Sequence, residues 1–149
     1  MRTTPARLIN QPTGSVKDLT YTLTGVAAGA GASVQGTIDL IRDRNTGTYW
    51  GITKNTGNVA NTITIDLGKT YWNVQVYVSV DVWANGVTNP CSITFGGTTL
   101  LSNNGGTNGQ VTYYGTALST QTIVFSATAT GGGGAAYINI YELRVSGSE

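Results

Sequence analysis

The chain has 149 residues, enough for one domain with a sizeable core. Charged residues make up only 10%, and the eight Lys and Arg against seven Asp and Glu give a net charge of +1 without gathering into a stripe, which argues against nucleic acid or an anionic membrane as partner. With no histidine the Ser-His pair is excluded, and the single cysteine, Cys91, has no partner for an internal disulfide.

Residues 1–14, with Pro5 and Pro12, read as an arm outside the folded unit, and residues 15–149 as one domain. The opening carries no apolar run of the secretory-signal kind, and no stretch approaches the ~20 apolar residues that span a bilayer. The Met-Arg-Thr-Thr start reads as that of a complete protein, and a polar arm needs a surface to lie against, for which a neighbouring subunit is expected.

Beyond the arm, Thr, Val, Ile and Tyr alternate with polar residues, and glycine or asparagine interrupts about every ten residues. Strands are predicted at Leu19–Thr24, Ser33–Ile38, Thr62–Leu67, Trp72–Val82, Ser92–Phe95, Gln110–Tyr114, Thr122–Ala127 and Tyr137–Val145. The intervening GVAAGAGASVQG is too rich in glycine for a helix and reads as a loop or a bulged strand. In Thr62–Leu67 the residues Ile63, Ile65 and Leu67 alternate, and Gly68-Lys69 reads as the turn that follows. The clearest strand has an apolar face of Trp72, Val74, Val76, Val78, Val80 and Val82. Its opposite face is Asn73, Gln75, Tyr77, Ser79 and Asp81. In the last strand Ile138 and Ile140 fall on one parity and Leu143 and Val145 on the other, so a bulge is expected near Tyr141–Glu142. Gly96-Gly97, Gly105-Gly106 and Gly131–Gly134 read as loop tips. Strands at this spacing, with no helical stripe, predict an antiparallel sandwich.

Cys91 reads as a small buried hydrophobe within a strand, ahead of a reactive thiol. Trp72 leads an apolar face and is expected in the core. Trp83 has the opposite parity and opens the segment WANGVTNP. Exposed aromatics stack on sugar rings while neighbouring amides read hydroxyls. On that ground Trp83, Asn85, Asn89 and the pair Tyr113-Tyr114 are candidates for a recognition surface; the alternative is that they cap the sandwich or pack on another subunit. Seven scattered acidic residues leave a glycosidase-like carboxylate pair as the one catalytic arrangement still open, and the chain reads as non-catalytic.

Three motifs carry a family likeness. DRNTGTYW (Asp43–Trp50), ITIDLGKTYWNVQVYV (Ile63–Val78) and AAYINIYELRVSG (Ala135–Gly147) together resemble the discoidin, or coagulation-factor type C, family of galactose-binding-like domains. The resemblance covers roughly residues 39–82 and 135–147; the middle, about 84–134, matches nothing. It implies an all-β, antiparallel jelly-roll β-sandwich with Trp50 packed beneath it. It also implies a structural calcium ion held by Asp43, Asn45, Thr48 and Glu142 with nearby backbone carbonyls, a set of hard oxygens of the kind calcium takes. Arg44 stands where the family has glycine, so its guanidinium pairing with Asp43 in place of the ion, or a metal-free loop capped by Asp and Asn side chains, remain the alternatives. In glycan-binding branches the ligand sits on loops at one end, contacted by arginine, histidine, asparagine and an aromatic. Arg42 joins the ligand candidates on that basis, with Arg44, Asn103 and Asn104 near it.

Two binding-protein readings follow, ahead of any enzyme. The first is a bacteriophage virion component (tail, fibre or capsid-surface decoration) that recognises host glycans, assembles as a homo-oligomer or with other virion proteins, and multiplies affinity by copy number. The alternative is an extracellular carbohydrate-binding module of a secreted bacterial glycoside-active enzyme or lectin.

Overall fold

A computed structural model describes residues 17–19, 22–86, 90–131 and 133–149; the proposed arm, residues 1–14, lies outside them. In chain order the elements are β1 (Lys17–Asp18), β2 (Thr22–Ala27), β3 (Val34–Gln35), a 3-10 turn (Ile38–Ile41), β4 (Trp50–Thr56), β5 (Val59–Asn85), β6 (Pro90–Phe95), β7 (Thr98–Asn104), β8 (Val111–Ala129) and β9 (Ala135–Ser148). Every pairing is antiparallel. The described residues contain no α-helix.

Two long strands make the sandwich. β5 and β8 run side by side from Val59↔Ala129 to Val80↔Val111, with the register broken between Asp66 and Tyr71. Before the break, β5 lies between β2 and the second half of β8, which carries β6 and then β7. After it, β5 lies between the first half of β8 and β9, which carries β4 and then β3. Each strand therefore contributes to both layers, and the apolar faces of the two layers form one core. This is an antiparallel jelly-roll β-sandwich.

The break replaces the predicted turn at Gly68-Lys69. Gly68 has φ +83 and donates its N–H to Asp66 Oδ1 at 2.7 Å, a kink that re-aims the strand without reversing it. A second irregularity corrects the expectation for Trp72. Asn73 sits at φ +49, a left-handed conformation that asparagine tolerates, and the register against β9 shifts between Trp72 and Gln75. Parity flips there, so Tyr71 is buried with Val74, whereas Trp72 is 41% exposed. The bulge expected in β9 is present: Val80 faces Ile140 and Ser79 faces Glu142, leaving Tyr141 as the extra residue. Ile138, Ile140, Leu143 and Val145 are consequently all buried.

Trp50 is 2% exposed in the core, as the resemblance implies. Cys91 is buried there too, and burial pushes its thiol pKa up to about 11, so the thiolate is scarce at neutral pH. Strands β4 and β7 have no counterpart among the predicted ones. In β4 the alternation is broken by a bulge between Ile52 and Asn55, and Gly51 is required because a Cβ there would strike the Ile138 carbonyl. β7 (TTLLSNN) buries little beyond Leu101 and has almost no apolar pattern to read.

At one end of the sandwich, loops of small residues meet. The Asn61 Nδ2 donates to Asn55 Oδ1 and to the Ala136 carbonyl, and Asn61 Oδ1 accepts from Gly29 N. Asn55 Nδ2 donates to the Ala30 carbonyl, Gly57 N to the Gly134 carbonyl, and Gly131 N to Asn58 Oδ1. This end is built from backbone and buried amides, with glycine where chains approach too closely for a side chain.

Candidate functional site

The polar face of the layer β3–β4–β9–β5–β8 looks away from the core and carries the aromatic side chains the core does not use. Besides the Tyr49–Tyr141 pair, whose ring centroids lie 5.4 Å apart, they form two clusters. The first lies toward the glycine-rich end, where Trp83 of β5 faces Tyr137 of β9. Their rings stack with centroids 5.6 Å apart, and Lys54 Nζ stands 4.8 Å over the indole. Beneath them Asp81 is fully engaged. Its Oδ2 accepts from the Tyr137 hydroxyl at 2.8 Å, and its Oδ1 accepts from Thr107 Oγ1 and Gly109 N. Burial first, and then the bond to Asp81, raise the Tyr137 phenol well above its ordinary pKa. Asn85 is exposed at the rim of this cluster, and Asn89 lies outside the described residues.

The second cluster lies further along the same face. Tyr77 of β5 is flanked by Tyr114 of β8 and Arg144 of β9. The two tyrosine rings meet edge to face at 5.2 Å, and the guanidinium lies 4.8 Å over Tyr77. Tyr114 is 75% exposed. Gln75, Ser146 and these three side chains line a shallow groove of about 320 Å³.

Between the clusters, the loop 43–48 closes over the strands. Asp43 Oδ1 accepts from Asn45 N and Asp43 Oδ2 from Thr48 Oγ1, while Asn45 Oδ1 accepts from Gly47 N. Gln110 ties this loop to β5 by donating to the Thr46 carbonyl and to Ser79 Oγ. The pairing of Trp50 with Ile140 brings the residues just before β4 alongside those just after Ile140, so the loop borders Glu142. Glu142 is 1% exposed. Its Oε1 accepts from Arg144 Nε at 3.0 Å, and its Oε2 has no hydrogen-bond partner. An orphaned buried carboxylate oxygen is costly, and a cation beside it would relieve that cost. Asp43, Asn45, Thr48 and Glu142 supply only hard oxygens, the donor type calcium takes, so the residues fit the implied ion in chemistry. The loop is also fully self-capped without one, and three or more carboxylate, histidine or cysteine ligands do not converge among the described residues.

The structure divides the sequence-derived ligand set. Tyr113 and Tyr114 do not form one surface. As neighbours on a strand they point to opposite faces: Tyr113 faces Val78 and packs against the core, which raises its pKa, and Tyr114 points outward. Trp83 and Tyr77 share the outer face six residues apart, roughly 20 Å along the strand, so Trp83 and Tyr114 belong to different patches. Arg42 pairs with Asp39 at 3.3 Å and lies near neither tryptophan cluster residue in sequence or register. It lines, with Arg44, Glu142 and Arg144, a concavity of about 180 Å³. Three of the chain's basic residues thus do gather, contrary to the reading of the linear sequence, because Arg144 arrives from β9 a hundred residues later. Tyr137, Lys54 and Arg144 went unselected in the sequence. Their roles depend on cross-strand register, for which the only local hint was the odd face of β5 holding Tyr77 and Asp81.

No protein-family model matches the chain, and no curated protein matches it significantly. Solved structures do. One is the family 32 carbohydrate-binding module of Clostridium perfringens NanJ, solved in complex with galactose, at TM-score 0.50 and 17% identity over 89% of this chain and 99% of that one. Another is a chitosan-binding module from a chitosanase/glucanase of Paenibacillus sp. IK-5, at TM-score 0.51 and 18% identity over 85% and 95%. A third is a truncated AlyQ with family 32 carbohydrate-binding and alginate lyase domains, at TM-score 0.45 and 23% identity, where the match spans 91% of this chain and only 34% of that one. The fold that the first two share with the chain is the galactose-binding-like β-sandwich.

Proposed function

We propose that the chain is a non-catalytic, extracellular carbohydrate-binding module that receives a sugar on the outer face at Trp83 and Tyr137, with the Lys54 ammonium over the indole and Asn85 at the rim. The observation that carries this reading is the stacked Trp83–Tyr137 pair, fixed from below by the saturated Asp81 carboxylate. A rigid aromatic platform bordered by an ammonium and an amide offers an apolar surface for C–H faces and donors for hydroxyls. The fold supports it, since the structures matched at a TM-score of 0.50 or above include a family 32 module solved with galactose and a chitosan-binding module. These likenesses favour the extracellular carbohydrate-binding module over the virion component.

A structural calcium ion at Asp43, Asn45, Thr48 and Glu142 belongs to the same reading, supported by the orphaned Glu142 Oε2. Its role is to brace the loop between the two clusters. Calcium is expected to raise the melting temperature and a chelator to reverse the rise, with both responses lost in Glu142→Gln. A melting curve indifferent to calcium removes the ion from the account.

Binding itself is tested on a glycan array with the whole chain. Retention of one or more neutral glycans, weakened at least about tenfold by Trp83→Ala, is expected. An array with no retained glycan overturns the function.

A further inference from the structure

The groove beyond the loop 43–48 differs in chemistry from the Trp83 platform. We propose that it is a second sugar site, built for a carboxylated, uronate-type residue, with Arg44 and Arg144 taking the carboxylate and Tyr77 and Tyr114 the ring. The proposal rests on the carbohydrate-binding reading but not on its site.

Four observations carry it. Tyr114 is three-quarters exposed, so its ring is open to a ligand. Its contact with Tyr77 and the guanidinium over Tyr77 hold an aromatic corner in place. The side chain of Arg144 lines the groove and is 54% exposed, and its hydrogen bond within the described residues uses Nε, which leaves the Nη edge of the fork for a ligand. A planar guanidinium with a free edge matches a carboxylate.

Arg44 supplies the fourth observation. It adopts φ +61, a region where a long side chain is uncommon and where glycine or asparagine would close the loop without strain. What arginine adds at that position is a cation, set in the concavity it shares with Arg42, Glu142 and Arg144. Two arginines there have acidic neighbours, Arg42 with Asp39 and Arg144 with Glu142. The concavity adjoins the tyrosine groove through Arg144 and Val145, which line both. The polar groups that remain, Gln75 and Ser146 in the groove and Thr116 in the depression beside it, are neutral hydrogen-bonding groups that suit hydroxyls. Aromatic rings flanked by amides and hydroxyls favour a sugar over an acidic peptide, which would use the arginines and leave the tyrosine corner idle.

The experiment is calorimetric titration of the whole chain with trimers of galacturonate, guluronate, mannuronate and glucuronate, with galactotriose and poly-glutamate as controls. Arg44→Asn keeps the backbone conformation and the loop, and Tyr114→Ala removes an exposed ring, so both variants are expected to melt as the parent does. At least one uronate trimer should bind, at least about tenfold more weakly in each variant and unchanged in Trp83→Ala. Its affinity should fall as salt rises. Failure of all four uronates, equal binding of galactotriose or poly-glutamate in this groove, or indifference to Arg44→Asn and Tyr114→Ala each overturns the proposal. Neutral glycans held through Trp83 with no uronate binding would leave the proposed function standing and remove this site alone.

Discussion

The two aromatic clusters of the outer face are made of the same materials and solve opposite problems. Around Trp83 the polar groups face one another: the Asp81 carboxylate is saturated by Tyr137, Thr107 and Gly109, and Lys54 covers the indole. Around Tyr114 they face outward, with an exposed ring, an arginine bound through one nitrogen and a neighbouring Glu142 oxygen left unpaired. The first cluster is part of what holds β5, β9 and the loop 106–109 together. The second contributes little to the fold. Perturbing the first should therefore cost stability along with neutral-glycan binding, and perturbing the second should cost uronate binding with little change in stability.

Asp81→Ala should give the largest loss. It strands the Tyr137 hydroxyl and the Gly109 N–H and leaves Thr107 Oγ1 only its bonds to the Val82 backbone, and about 3 kcal/mol of unfolding free energy is expected to disappear. Denaturant unfolding reads this directly, and a loss under about 1 kcal/mol would mean the closed cluster is not structural.

Alkali should act in the same place. Burial raises the folded-state pKa of Cys91, and burial followed by the Asp81 bond raises that of Tyr137. Groups raised in this way favour the fold while protonated in both states, so their contribution is complete below about pH 9 and fades as pH climbs through 11. Melting temperatures should fall across that window, and Tyr137→Phe should flatten the part due to the phenol. Cys91 should also resist alkylation at pH 8 until the chain is unfolded, whereas rapid native labelling would contradict its burial.

Tyr114→Ala should be the mildest change, within about 0.5 kcal/mol of the parent in stability. A cost of 2 kcal/mol or more would show that the open cluster is a structural one after all and erase the contrast.

Much of this architecture was legible in the sequence because β-strands announce themselves by parity. The alternation from Val74 to Val82 placed one face in the core, and the parity conflict between Ile140 and Leu143 located the bulge at Tyr141. Where the reading failed, a single backbone irregularity intervened. Asn73 at positive φ turned Trp72 outward, and the kink at Gly68 bent one long strand between two layers where a turn was expected. Glycine signals a left-handed conformation without saying whether the chain reverses or only bends. The candidate site was harder still. Trp83 and Tyr114 were visible as aromatics, but the partners that close one cluster and open the other come from β4 and β9, and no local pattern states which residues those strands set opposite. The pairing of adjacent tyrosines as one surface failed for the elementary reason that neighbours on a strand face opposite ways.

The most direct test of the central claim is a titration of the isotope-labelled chain with the best-retained neutral glycan, followed by NMR through the indole N–H signals of its three tryptophans. The account predicts a saturable shift of the Trp83 signal while buried Trp50 stays still, with the response lost in Trp83→Ala. Saturable binding that leaves Trp83 unmoved would contradict the account.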